Sequence, residues 1–337
     1  MIVLGIESSC DDTGAAVVRD GEELSNVVAS QDDVHKPFGG IVPELAARNH
    51  VLHVIPVIDR ALEKAGLTLD DIDGVAATRG PGLVGSLLVG LCAAKAIARS
   101  RNLPFVGVNH IEGHLLSGEL DEPVERPFLG LVVSGGHTSL YLARADGSFG
   151  LLGQTRDDAA GEAFDKAAKL LGLGYPGGRE IERVARDGNP QALKLPRPRV
   201  KASALDLSFS GLKTALWQQV EKNPDLSVPD VAASFQAAVV ESLVEAARRA
   251  LHVTGVRQVV VTGGVSANGA LRDAMAAMAA EEGAALSVPP LSRCTDNAAM
   301  IAYVGWQRLA RGERDALDLN AVASLPVGER VEISKVA

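Results

Sequence analysis

The chain has 337 residues, 47% of them hydrophobic and 22% charged, with a net charge of −9 at pH 7 and an isoelectric point near 5.3. That length predicts about two domains or one large bi-lobed unit, and the balance is globular, which excludes disordered, collagen-like and coiled-coil classes. So acidic a chain binds phosphate backbones poorly on its own, so an RNA partner would require a local basic patch or helper subunits.

The first predicted elements are an apolar strand over 2–6, a turn of small polar residues from Glu7 to Gly14, and a returning strand over 15–18. A helical periodicity over 42–65 follows, with Pro56 expected to kink or split it. Its apolar stretch over 51–58 suits core packing or a dimer seam. Next come a strand over 75–77, the turn Gly80-Pro81-Gly82, a second helix, a strand over 105–108 and a helix starting near His110. The apolar run over 83–98 is interrupted by Lys95 and by glycines, and is too short to span a membrane.

The order then begins again. A strand over 129–133 leads through Ser134-Gly135-Gly136-His137-Thr138 to a strand over 140–143. After a segment from 155 to about 228 come a helix over 229–254 opening on Pro229, a strand over 259–261 and the turn Gly263-Gly264. A helix, a strand over 285–288 and a helix starting near Asp296 close the second round. Strands alternating with helices in two matching rounds predict an α/β architecture of two pseudo-duplicated lobes, with mixed sheets around a central cleft. The expected divisions are 1–112, 113–325 with an insertion at about 155–228, and a tail at 326–337. Within the insertion, Lys194, Arg197, Arg199 and Lys201 stand together without an acid. A solvated basic loop is the simpler reading and an RNA-phosphate patch the sharper one.

Cys10, Cys92 and Cys294 lie far apart with no CxxC spacing, which predicts a reduced cytoplasmic protein with neither a disulfide scaffold nor a cysteine-ligated zinc. Met1 to Gly5 passes directly into a strand, without the basic segment or cleavage site of a secretory leader.

Two groups carry chemistry. Glycine turns at Ser134-Gly135-Gly136 and Gly263-Gly264 can present backbone N–H groups to phosphate oxygens, though most glycine pairs only make turns. Asp11 and Asp12 in the first turn either shape it by side-chain-to-backbone bonds or orient a metal-bound or phosphate-bearing ligand. His110-Ile111-Glu112-Gly113-His114 sets two imidazoles at i and i+4, on one face of a helix, where they can share a divalent metal. Two histidines are an incomplete set, and Asp296, at the matching position of the other round, is the expected third ligand, bridging the lobes. Two histidines and a carboxylate suit iron or zinc with open positions. A metalloprotease is disfavoured: Glu112 is two residues after His110, about 200° around the helix, facing away from the histidines.

Taken together, these motifs closely resemble the tRNA N6-adenosine threonylcarbamoyltransferases of bacterial type, long described as O-sialoglycoprotein endopeptidases. The likeness spans nearly the whole chain. It rests on Gly5-Ile6-Glu7-Ser8-Ser9-Cys10-Asp11-Asp12-Thr13, Ile41-Val42-Pro43-Glu44-Leu45-Ala46, Gly80-Pro81-Gly82-Leu83 and the histidine pair. It continues in residues 133–138, Gly161-Glu162-Ala163-Phe164-Asp165-Lys166, Tyr175-Pro176-Gly177-Gly178, Ser208-Phe209-Ser210-Gly211-Leu212-Lys213, residues 262–268 and Cys294-Thr295-Asp296-Asn297.

The resemblance implies an actin-like ATPase fold and transfer of a threonylcarbamoyl group from threonylcarbamoyl-adenylate to N6 of the adenosine 3′ of the anticodon, in tRNAs that read codons starting with A. It implies one divalent ion, Fe(2+) or Zn(2+), on His110, His114 and Asp296. It implies substrate contacts from Val132, Val133, Ser134, Gly135 and Gly136, and adenosine-side contacts from Asp165, Gly178, Glu182 and Asn268. The partners implied are tRNA, an inactive actin-like paralogue and a small P-loop ATPase, in the cytoplasm. Val132 stands where the archaeal and eukaryotic branch has a tyrosine ligand, Arg179 where a proline is usual, and His137 where the archaeal branch often has asparagine. No residue is marked out as general base; Asp11 and His137 are candidates by motif alone. A small-metabolite kinase of the actin-like superfamily is the alternative, and a non-catalytic paralogue the third reading.

Overall fold

The computed structural model describes the chain except residues 198–199, 201–202, 224 and 332–337; Arg199 and Lys201 of the basic segment lie outside the described residues. The chain divides into two compact units. The first joins Met1–Pro123 to Thr295–Val327, and the second joins Val124–Cys294 to the chain from Gly328 onward.

In the first unit, β1 (Ile2–Glu7), β2 (Thr13–Arg19), β3 (Glu22–Ala29), β4 (Gly74–Gly80) and β5 (Phe105–Asn109) form one sheet in the order β3-β2-β1-β4-β5. The pairs β1–β2 and β2–β3 are antiparallel, and β1–β4 and β4–β5 are parallel. A short helix α1 (Asp32–His35) precedes the long α2 (Pro43–Ala65), and α3 (Val84–Arg101) joins β4 to β5. Alternate strand residues serve opposite faces. Leu4, Ile6, Val75 and Ala77 meet Val54, Ile58, Ala61, Leu91 and Ala94 from α2 and α3 on one side. Pro56 does not split α2: it forfeits one backbone bond, and buried Val54, Val57 and Ile58 on either side hold the helix to the sheet.

The other face of this sheet receives the Ala298–Ala310 helix, by way of residues without side chains. A Cβ on Gly5 would lie 2.5 Å from the backbone nitrogen of Ala302, and one on Gly305 would collide with the Cβ of Ala76. A helix so apolar (Ala298 to Val304 are all buried) gains by this close approach, since dispersion falls off steeply with any gap.

The second unit repeats the plan. Here β6 (Phe128–Val133), β7 (Thr138–Ala143), β8 (Phe149–Gln154), β9 (Gln258–Thr262), β10 (Ala285–Ser287) and β11 (Glu329–Arg330) run in the order β10-β9-β6-β7-β8-β11. The antiparallel pairs β6–β7–β8 and the parallel pairs β6–β9–β10 reproduce the first sheet strand for strand, and β11 is added at the edge. Helices α4 (His110–Leu116, in the first unit), α5 (Ala160–Leu170), α6 (Gly177–Ala185), α7 (Ser210–Lys222), α8 (Val228–Thr254) and α9 (Gly269–Glu282) complete the labelled elements. Leu129, Leu131, Val259 and Val261 pack with Phe164, Phe235, Leu243 and Leu216 from α5, α8 and α7 in a single core. The 155–228 segment is tied to the sheet edge by Asp206. Its carboxylate accepts the Gln154 N–H (3.0 Å), Arg156 Nε (2.6 Å) and Arg330 Nη2 (2.7 Å).

Two stability predictions follow from this packing. Gly5→Ala should lower the unfolding free energy by about 1–3 kcal/mol, the usual cost of overpacking, in urea denaturation. Burial works to raise the Asp206 carboxyl, but the Gln154 N–H and the two guanidinium groups outweigh it and hold it below the usual range. Its contribution is therefore complete above the ordinary aspartate range and fades as pH falls through the lowered value. Asp206→Asn should cost about 2 kcal/mol at neutral pH, and denaturation curves of variant and parent should draw together as pH falls from about 4 through the lowered value.

Candidate metal centre and glycine turns

Two asparagine caps set the ligand positions in the first unit. Asn109 ends β5, and its Oδ1 accepts the N–H groups of Ile111 (2.9 Å) and Glu112 (3.4 Å), so α4 begins with His110. Asn297 Oδ1 accepts the Met300 N–H at 3.1 Å, which starts the Ala298–Ala310 helix and leaves Asp296 just ahead of it. Such caps satisfy backbone donors that the first turn cannot pair internally. Gly113, between the histidines, lets α4 lie against that helix: a Cβ there would be 3.1 Å from Ile301 Cδ1 and Met300 Cγ.

His110 and His114 stack edge to face with ring centroids 4.7 Å apart. Asp296 Oδ1 lies 3.0 Å from His114 Nε2 and 3.6 Å from His110 Nε2, and one donor atom from each of the three residues falls within 4.8 Å of the others. Donors about 2.0–2.2 Å from a shared ion stand about 3–3.5 Å apart, so the trio fits a divalent metal. All three belong to the first unit. The sequence reading had Asp296 in the opposite lobe; the glycine-mediated docking of the Ala298–Ala310 helix on the first sheet brings it back.

The surroundings fit a cation as well. Burial disfavours the His110 imidazolium, but Asp296 and Glu7 outweigh burial and raise its pKa to about 9. Burial and then the Asp296 charge push Asp11 up to about 6, and burial, Asp296 and Asp11 push Asp12 up to about 8. Carboxylates that repel one another around Asp296 describe a place where a bound cation relieves the repulsion. The loop carrying Asp11 and Asp12 is held by buried His50, whose Nδ1 is 2.8 Å from Thr13 Oγ1 and whose Nε2 is 3.1 Å from the Cys10 carbonyl.

The other expected residues all lie in the second unit. Val132 and Val133 are fully buried in the ladder of β6 with β7 and β9, and lead the chain into the turn that follows. The following turn is closed by the Ser134 N–H donating to the His137 carbonyl (2.7 Å) and the His137 N–H donating to Ser134 Oγ (3.1 Å). Two glycines shape its back: a Cβ on Gly161 would lie 2.7 Å from the Ser134 carbonyl, and one on Gly263 2.5 Å from that of Val133. Gly135, Gly136, Gly178 and Gly264 differ: a Cβ would meet nothing within 4 Å, and none of them has a left-handed φ. The chain itself does not need glycine at those four places. Asp165 Oδ1 accepts the Gly177 N–H (2.7 Å) at the start of α6, Glu182 Oε1 accepts the Gly269 N–H (3.1 Å) at the start of α9, and Asn268 Nδ2 donates to Gln236 Oε1 (2.8 Å). Of the basic segment's described members, Arg197 pairs with Glu241 at 2.7 Å.

Sequence reasoning missed Glu7, Thr78 and Gly113 as surroundings of the candidate metal ligands. The signal available was a lone carboxylate ending an otherwise apolar strand.

The fold is that of the actin-like ATPases. Similar solved structures are full-length HypF in its phosphate- and nucleotide-bound form, with a TM-score of 0.61 and 13% identity over 91% of this chain and 46% of that one, and the ROK hexokinase of Thermus thermophilus, with a TM-score of 0.51 and 17% identity over 93% and 100%. At those identities the likeness concerns the fold alone. Residues 22–303 match the family TsaD: tRNA N6-adenosine threonylcarbamoyltransferase. The enzyme of that name from Anaeromyxobacter dehalogenans is 57% identical over 325 residues, covering 95% of this chain and 97% of the relative. The one from Syntrophus aciditrophicus is 55% identical over 333 residues, covering 97% and 98%. The chain belongs to the tRNA N6-adenosine threonylcarbamoyltransferase family.

Proposed function

We propose that the chain performs the reaction of its family on tRNA, with threonylcarbamoyl-adenylate as donor and the adenosine 3′ of the anticodon in tRNAs reading ANN codons as acceptor. The observation that carries the mechanistic reading is the His110/His114/Asp296 group, which an actin-like phosphotransferase does not need. The N6 nitrogen forms a bond to the carbamoyl carbon, the bond from that carbon to the adenylate phosphate oxygen breaks, AMP departs and N6 loses a proton. The exocyclic amine is a weak nucleophile because its lone pair is delocalised into the ring, so orientation and charge stabilisation supply the acceleration.

His110, His114 and Asp296 would hold one Fe(2+) or Zn(2+). When bound, such an ion supplies Lewis acidity and a fixed positive charge. Backbone N–H groups of Gly135 and Gly136, in the turn after Val132 and Val133 that Ser134 closes through its own N–H, suit phosphate oxygens of the adenylate. Asp165, Glu182 and Asn268 are anchored by hydrogen bonds to neighbouring elements, and Asn268 also caps α9 through the Leu271 N–H, which fixes them for ribose and base contacts, with Gly178 leaving room between. Asp11 and His137 remain the candidate bases for the N6 proton.

An exposed apolar face supports the reading that other subunits take part. Val51, Leu52 and Ile55 on α2 are 61%, 68% and 54% exposed, and Val84 and Leu88 on the neighbouring α3 are 45% and 41% exposed. A patch of this kind marks a contact surface, and an inactive actin-like paralogue is the partner we assign to it, alongside a small P-loop ATPase. No described helix is long and apolar enough to cross a membrane, and the reduced cysteines suit work in the cytoplasm. Nothing in the site favours the small-metabolite kinase.

The test combines this chain with its adenylate-forming and helper partners, labelled threonine, bicarbonate, ATP and tRNA. Label should enter tRNA with the parent chain and fall to background with His114→Ala; equal labelling by the variant would overturn the metal assignment, and no labelling by either the transferase. Gly178→Ala should leave stability unchanged or raise it by up to about 1 kcal/mol, since its φ is compatible with alanine. It should lower kcat/KM about tenfold, roughly 1.4 kcal/mol of transition-state binding, in the same assay.

A further inference from the structure

Glu7 is fully buried at the end of β1. An ionised carboxylate in such a place is costly unless donors surround it. Its Oε1 accepts the Ser9 N–H at 2.5 Å, and its Oε2 accepts the Thr78 hydroxyl at 2.7 Å and faces His110 Nδ1 at 3.0 Å. Ser9 Oγ also stands 3.1 Å from the same ring nitrogen. The opposite nitrogen, His110 Nε2, is the one turned toward Asp296.

We infer that Glu7 is a positioning residue for the metal site: it holds the His110 ring by Nδ1–H, keeps the proton on that nitrogen and leaves the Nε2 lone pair for the ion. This rests on reading His110, His114 and Asp296 as metal ligands. An ionised carboxylate only accepts hydrogen bonds, so it admits one arrangement of the ring. A glutamine in its place carries an NH2 group, which must oppose either the Ser9 N–H or the pair formed by Thr78 and His110. In the first case two donors collide. In the second, the amide donates to Nδ1, which drives the imidazole proton to Nε2 and removes the lone pair from the ion. Outer carboxylates of this kind also make the ligating nitrogen more basic. Thr78 on β4 holds Oε2 in place, so the parallel β1–β4 pairing contributes to ligand orientation.

The experiment strips the full-length protein with a chelator, then titrates Zn2+ in competition with a chromophoric chelator; thermal unfolding of each metal-free protein is followed beside it. The parent should bind one Zn2+, His114→Ala should lose that site, and Glu7→Gln should bind about 10–100-fold more weakly while remaining folded. A purely structural Glu7 would shift the unfolding midpoint without changing the affinity of the folded protein. Zn2+ binding by Glu7→Gln as tight as the parent's, with the site still lost in His114→Ala, would overturn the inference. Should Glu7→Gln not fold, Thr78→Val keeps the carboxylate but removes its anchor: weaker Zn2+ binding supports the inference and unchanged binding overturns it. A parent that binds no Zn2+ would overturn the metal reading itself, and this one with it.

Discussion

Glu7 is a carboxylate out of reach of solvent, and the first unit supplies donors to it from three directions. Ser9 comes from the turn that β1 leads into, Thr78 from the adjacent parallel strand and His110 from the start of α4. Removing any of these leaves buried charge or a buried lone pair unmatched, at a cost of about 1–3 kcal/mol or more, a sizeable part of the stability margin of a domain. The next residue extends the same knot: Ser8 Oγ donates to the Ser86 carbonyl (2.9 Å) and accepts the Gly90 N–H (3.1 Å) of α3. Strand, turn and helix are thereby held in one arrangement, and the imidazole that emerges from it has its outer nitrogen turned toward Asp296.

Missing side chains at the helix contacts do the rest. Gly5, Gly113 and Gly305 each lie where a Cβ would meet the Ala298–Ala310 helix or its neighbours. A carboxylate from residue 296 reaches histidines at 110 and 114 because backbones approach closely here. In the second unit the same residue type acts in two ways. Gly161 and Gly263 mould the turn at Ser134 from behind, while Gly135, Gly136, Gly178 and Gly264 face open space. The first pair serves the fold, and at the four others no neighbouring atom and no left-handed φ calls for a glycine.

Much of this was legible before any coordinates. The duplicated strand-turn-strand openings and the helices after them are local patterns, and local periodicity reports them well. The i, i+4 histidines put both imidazoles on one helical face wherever that helix goes. Asp296 was legible as a partner by its position in the repeat, but not the unit it joins, because docking of the Ala298–Ala310 helix is decided by tertiary contacts at glycines far away in sequence. Glu7 read as the first residue of a polar turn, since a lone carboxylate ending an apolar strand is a weak signal that a solvated turn residue gives equally. Asp165, Glu182 and Asn268 have no shared periodicity or spacing; they entered through family resemblance, and the hydrogen bonds that fix them are visible only in the fold. Pro56 does not split α2, because the packing of its neighbours holds the helix together despite one missing backbone bond.

The central claim is that a single ion on His110, His114 and Asp296 is required for threonylcarbamoyl transfer. The most direct measurement starts from chelator-stripped protein combined with its helper subunits, purified threonylcarbamoyl-adenylate and tRNA. Fe(2+) or Zn(2+) is then returned in small increments while modified adenosine is counted. Activity should rise from background in proportion to added ion and level off at one equivalent per chain. Full activity in the stripped protein, with no response to either ion, would contradict the account.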